Sequence, residues 1–159
     1  MSAARWTLML GLILALPVDA TAQRRGGGFS SGISAGPRVG RDFGQHAWTV
    51  GGQASLPLGE RLELRPSGDL LFPRHERMGW QLNGDGAIHF GQGGGLYAGG
   101  GIAFAKLNGD ADTETGYNLF LGLSTAAPDE PTKGFLEFRW TFLDGTNPFR
   151  LALGFLYRL

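Results

Sequence analysis

The chain has 159 residues, 14 Lys and Arg against 14 Asp and Glu, and no cysteine. A formal net charge of +0 excludes the basic surplus of a nucleic-acid binder, and the missing thiols exclude disulfides, Cys-ligated metals and a lipid-acylated cysteine. Gly supplies 28 residues, far above ordinary usage. Because glycine weakens helix interiors, the composition points away from a helical fold.

Residues 1–22 have the three parts of a cleavable secretory signal. Arg5 gives the positive start, Leu8–Leu16 the apolar run, and Ala20-Thr21-Ala22 the small-x-small site before Gln23. The apolar run falls well short of the roughly 20 residues that cross a bilayer as a helix. The segment carries one base, Arg5, and one acid, Asp19, so the mature chain stays neutral. Residues 23–30, with Gln23-Arg-Arg-Gly-Gly-Gly28, form a flexible leader. Residues 31–159 form one domain.

Through that domain the recurring pattern is period-two alternation broken by turn residues. A first strand near 31–40 aligns Ile33, Ala35, Pro37 and Val39, and 40–45 is a loop. A second near 47–56 aligns Trp48, Val50, Gly52, Ala54 and Leu56; a third near 61–72 aligns Leu62, Leu64, Pro66, Leu70 and Phe72. A fourth near 78–90 aligns Trp80, Leu82, Ile88 and Phe90, and a fifth near 95–106 aligns Leu96, Ala98, Ile102 and Phe104. A sixth near 115–125 aligns Tyr117, Leu119, Leu121 and Leu123; a seventh near 132–142 aligns Leu136, Phe138, Trp140 and Phe142. The eighth aligns Leu151, Leu153, Phe155, Tyr157 and Leu159. Each is longer than the five or six residues usual in globular strands and suits a tilted membrane crossing of about nine to eleven. Pro37 and Pro66, lacking a ladder donor, predict local bulges.

An even strand number puts both chain ends at one side, the periplasmic side of a secreted barrel. Loops at 40–46, 73–77, 107–115 and 143–148 then face outward. All are short, which argues against a large receptor surface.

The alternate positions collect charge: Arg38, Glu63, Arg65, Asp69, Asp85, His89, Glu137, Arg139, Arg150 and Arg158, with Gln81 and Asn83 among them. The interior of a barrel of eight strands is filled by side chains, and buried ions there must be paired. These ten residues are therefore expected to form a polar network inside the barrel. Near strand ends sit Trp48, Phe72, Trp80, Phe90, Phe104, Tyr117, Phe142, Phe149 and Tyr157, positioned as the aromatic girdles of a membrane barrel.

Other chemistry is weakly represented. Gly91–Gly95 and Gly99–Gly101 lack the Lys-Ser/Thr of a phosphate loop. His46, His75 and His89 have no metal-ligand spacing. Asn108–Glu114 lacks the acid spacing of a calcium loop. No Ser-x-His pair or triad is evident, and His75 with Glu76 is the one candidate dyad. No catalytic residue, metal or cofactor is expected.

The closing segment Gly154-Phe-Leu-Tyr157-Arg-Leu159 resembles the C-terminal signal of bacterial outer-membrane β-barrels, with Leu159 where that signal usually has an aromatic residue. Together with the export signal and the eight alternating segments, it makes the mature chain resemble the small outer-membrane barrel domains of the OmpA/OmpX type. The resemblance implies an all-β, closed, antiparallel up-and-down transmembrane barrel of about eight strands. It also implies a Gram-negative outer membrane with its lipid and lipopolysaccharide, transit with periplasmic chaperones, and insertion by the barrel-assembly machinery. The expected role is that of a non-enzymatic, monomeric scaffold with a plugged lumen. Two other readings stay open: a secreted, soluble, lipocalin-like barrel for a small apolar ligand, and a lipid A-modifying enzyme of the outer membrane.

Overall fold

The structure is a computed structural model that describes residues 32–90, 95–107, 109, 112–125 and 131–159. The expected export signal and leader, together with residues 91–94, 108, 110–111 and 126–130, lie outside the described residues. Eight strands follow in order: β1 (Ser34–Asp42), β2 (Ala47–Pro57), β3 (Leu62–Phe72), β4 (Gly79–Phe90), β5 (Leu96–Lys106), β6 (Glu114–Ser124), β7 (Thr132–Phe142) and β8 (Phe149–Arg158). Each pairs antiparallel with the next, and β1 closes onto β8. Closure removes the sheet edges that an open apolar sheet would leave exposed.

The register sets the shape. Starting at Ser34 and stepping through cross-strand neighbours Ser55, Arg65, Asp85, Gly101, Asn118, Thr141 and Pro148, the circuit returns to the first strand's chain at Gly44, ten residues further on. That stagger over eight strands tilts them by roughly 40°. A strand of 11 residues then climbs about 25 Å along the axis, the height of the apolar band in membrane barrels.

Two expectations are corrected. No bulge occurs at Pro37 or Pro66: the β1–β2 register runs unbroken through Pro37↔Gly52, and β3–β4 through Pro66↔Gly84. An antiparallel residue directs its N–H toward one neighbour only, so each proline interrupts one ladder. β1–β8 skips Gly36 and Pro37, and β2–β3 skips Arg65 and Pro66, with the register kept on either side. Second, Gly40-Arg-Asp42 belongs to β1 and not to a loop, pairing with Thr49, Trp48 and Ala47. Asp42 anchors the resulting tight turn by accepting the Gln45 N–H at 2.9 Å, and His46 closes it at φ 49°.

Candidate functional site

Alternation along the strands sorts side chains onto two faces. Outward positions are apolar and exposed, for example Leu82, Leu119, Leu153 and Phe155 at 54%, 53%, 53% and 63%. The lumen is the opposite. Arg38, Arg65, Arg139 and Arg150 are buried there with Asp42, Asp69, Asp85 and Glu137, four cations against four carboxylates. Burying any one alone would be very costly, so pairing is what permits the arrangement.

The pairing is continuous along the lumen. At the loop end, where β1 meets the 43–46 turn, Arg150 contacts Asp42 at 3.0 Å and Asp69 at 2.8 Å. Asp69 in turn takes a forked contact from Arg38, whose Nε donates at 2.8 Å. Glu137 then gathers Arg139 at 2.8 Å, Arg65 at 3.3 Å and Arg38 at 3.9 Å, and Arg139 also holds Asp85 at 2.7 Å. From Arg65 the chain continues to Glu63 at 3.1 Å and to His89 at 2.7 Å. His89 and Glu63 sit half-buried at the end where the chain termini lie, and Arg158 is half-buried at that same end.

Neutral polar groups complete the loop-end half. Asn118 donates to Asn83 at 2.9 Å and to Asp85 at 3.0 Å, Thr141 donates to Asn118 at 2.8 Å, and Gln81 donates to Asn83 at 2.7 Å. A small apolar cluster of Ala47, Leu71, Ala105, Leu107 and Leu143 lies beyond this network at the loop end.

In the terminus-end half aromatic rings replace amides. The Arg65 guanidinium lies 4.2 Å from the Tyr97 ring centre and 5.5 Å from that of Phe135, while Arg139 lies 4.8 Å from that of Phe120. Each of these rings lies directly across from an inward glycine: Tyr97 from Gly122, Phe120 from Gly99 and Phe135 from Gly154. A Cβ at any of the three would strike the facing ring. Gly154, part of the expected C-terminal signal, is thus the floor beneath Phe135, whereas Tyr157 and Leu159 point outward.

The aromatic residues expected at strand ends divide unevenly. Trp48, Phe72, Trp80, Phe142 and Phe149 cluster at the loop end, joined there by Tyr117, which stacks on Phe142 at 4.7 Å, and by Trp140, 5.0 Å from Phe149. Phe90 and Tyr157 stand at the other end, exposed.

Sequence reasoning missed several luminal residues. Asp42 lies in a run of turn-forming residues, while Asn118, Thr141, Tyr97, Phe120 and Phe135 occupy the inward phase of their strands without charge to mark them. His75 and Glu76 lie exposed in the β3–β4 loop. Ser55 and His89 both hydrogen-bond Glu63, which puts the carboxylate between the hydroxyl and the imidazole. A nucleophilic triad requires the imidazole in the middle. Among the described residues no three His, Asp or Glu side chains are grouped as a metal ion would need.

No protein-family model matches the sequence, and no curated protein matches it. The N-terminal β-barrel domain of OprF from Pseudomonas aeruginosa superposes with a TM-score of 0.67 at 20% identity, covering 84% of this chain and 100% of that domain. A de novo designed transmembrane β-barrel superposes with a TM-score of 0.54 at 13% identity, again over 84% of this chain and 100% of the design. At such identities the likeness is one of architecture. The chain is thus an eight-stranded, closed, antiparallel barrel that shares the fold of the OprF N-terminal domain.

Proposed function

We propose that the protein is an integral outer-membrane barrel, non-enzymatic and monomeric, serving as a compact scaffold that displays short loops. The observation that carries this reading is the inversion of the barrel: leucines and aromatic rings cover the outside while four arginines and four carboxylates fill the lumen. Apolar surface on that scale is an aggregation hazard in water and is what a bilayer solvates. A lipocalin-like binder needs an apolar interior and a polar exterior, the reverse of this distribution. The ion-paired lumen also supports a plugged barrel with little free conduction. Residues 1–22 serve as the export signal, removed before Gln23; periplasmic chaperones and the barrel-assembly machinery then deliver the chain to a membrane containing lipopolysaccharide.

The test is membrane fractionation followed by detergent electrophoresis with and without boiling. A folded barrel is expected in the outer-membrane fraction, migrating faster unboiled than boiled, with a mature N-terminus at Gln23. A chain that remains folded in the aqueous fraction without detergent overturns the proposal.

A further inference from the structure

The two ends of the lumen are finished differently. At the terminus end the last ionic pair, Glu63 and His89, has side chains 13% and 11% exposed and borders a cavity of about 20 Å³ shared with Ser55 and Lys133. At the loop end the last pair, Asp42 and Arg150, is shut away at 0% and 3%. Ala47, directly across from Asp42, begins the apolar cluster that it forms with Leu71, Ala105, Leu107 and Leu143. Ala47 and Leu71 come from β2 and β3, Ala105 and Leu107 from β5 and its end, and Leu143 from the end of β7. At least one strand separates these three groups on every side, so the cluster closes across the lumen and not along the wall.

Two members of this cluster belong to connections. Leu107 follows Lys106, the last residue of β5, and Leu143 follows Phe142, the last of β7. Both turn inward and are buried. Glycines seat them: a Cβ on Gly116 would strike the Leu143 side chain, and one on Gly79 the Leu107 carbonyl. The connections are fastened at the rim, the Leu143 N–H donating to the Thr146 carbonyl at 3.0 Å and the Gly109 N–H to the Arg77 carbonyl at 3.1 Å. We propose that Leu107 and Leu143 are a loop-borne lid over the ionic chain. Closed, the lid keeps water on the loop side from Asp42, Arg150 and Gln81; displacement of either connection admits it. The inference rests on the plugged-lumen reading above and names what closes one end. An apolar constriction excludes water without any charge, by dewetting, and the ions beneath attract one another more strongly when dry.

Because the chain has no cysteine, one introduced thiol reports access cleanly. Ala103 is 0% exposed, one inward position below Ala105 on β5 and directly across from Asn83. The mature barrel carrying Ala103→Cys is placed in nanodiscs, and its modification by a small water-soluble maleimide is timed alone and with Leu107→Ser, Leu143→Ser or both. The thiol is expected to react slowly behind the intact lid. Each serine should speed the reaction on the order of tenfold, since local opening sets the rate, and the pair should speed it further. Ser55→Cys, at the terminus-end cavity, is the control, and its rate should not respond to the lid substitutions. The milder Leu107→Ala and Leu143→Ala should act in the same direction with smaller steps, and they decide the matter if the serine variants do not fold. Unchanged rates at Ala103→Cys overturn the proposal. So does an equal rise at Ser55→Cys, which would mean that the substitutions loosen the whole barrel. Heat-modifiable migration of each sample separates the two levels of inference. Barrels that insert normally yet label alike with and without the lid refute the lid alone, whereas a wild type that fails to insert removes the membrane reading.

Discussion

Between Asp42 and Glu137 the lumen is held by charge-assisted hydrogen bonds backed by amides, whereas between Glu137 and His89 arginines rest against rings. The loop-end half has Arg150, Arg38 and Arg139 each touching two acidic side chains, with Gln81, Asn83, Asn118 and Thr141 filling the gaps. In the terminus-end half, Arg65 meets Glu63 and Glu137 but has Tyr97 and Phe135 for walls. The difference shows two ways of making a dry polar core tolerable. One surrounds its acid-paired arginines with amides and hydroxyls; the other gives an equally acid-paired guanidinium ring faces, which stabilise a desolvated cation.

Glu137 joins the two halves, contacting Arg38, Arg65 and Arg139 with an exposure of 0%. Glu137→Gln keeps the shape and deletes the charge, leaving four buried arginines against three carboxylates. Removing one partner from a buried ionic cluster costs about 3–5 kcal/mol, so this substitution is expected to have the largest effect. Urea-driven unfolding in phospholipid vesicles measures it. A loss under about 1 kcal/mol would mean that water enters the lumen and screens the network.

The aromatic half is broken by volume and not by charge. Gly122→Val places methyl groups where the Tyr97 ring lies, an overpacking expected to cost about 1–3 kcal/mol. In a Tyr97→Ala background the same change should cost little, since the obstructing ring is gone. The double-mutant cycle on unfolding free energy should therefore show strong coupling. Additive costs would place the strain in the β5–β6 backbone and not between the two facing side chains.

Much of this was legible in the sequence because the strand period is two. Once Leu62, Leu64, Leu70 and Phe72 are aligned, Glu63, Arg65 and Asp69 must share the other face, and the structure places them there. What could not be seen was which acid meets which base. Arg150 and Asp69 are 81 residues apart, and their meeting depends on a ten-residue stagger accumulated over the whole circuit. Asp42 was hidden because Gly40-Arg-Asp-Phe-Gly carries turn residues, and only the lumen shows that its carboxylate serves both the turn and Arg150. Tyr97, Phe120 and Phe135 were hidden because an aromatic residue in a membrane strand is first assigned to lipid. Their inward phase was readable, and so were the inward glycines Gly99, Gly122 and Gly154. Pairing each ring with its glycine required the register.

The smallest expected effect lies at the terminus-end mouth, where the ionic chain runs out into solvent. His89 contacts Glu63 at 2.7 Å, with side chains 11% and 13% exposed. Ser55 also hydrogen-bonds that carboxylate, and Arg65 faces it from inside. Glu63 thus keeps two partners when the imidazole is removed. His89→Gln retains a donor on a flexible stem, so the loss should stay below about 1 kcal/mol. The contrast with Glu137→Gln is the informative quantity: two substitutions in one ionic chain, one deep and one at its end, should differ severalfold in cost. Equal costs in the vesicle unfolding assay would mean that the mouth is as dry as the middle, and that the division of the lumen into an amide-lined half and a ring-walled half does not extend to its solvent boundary.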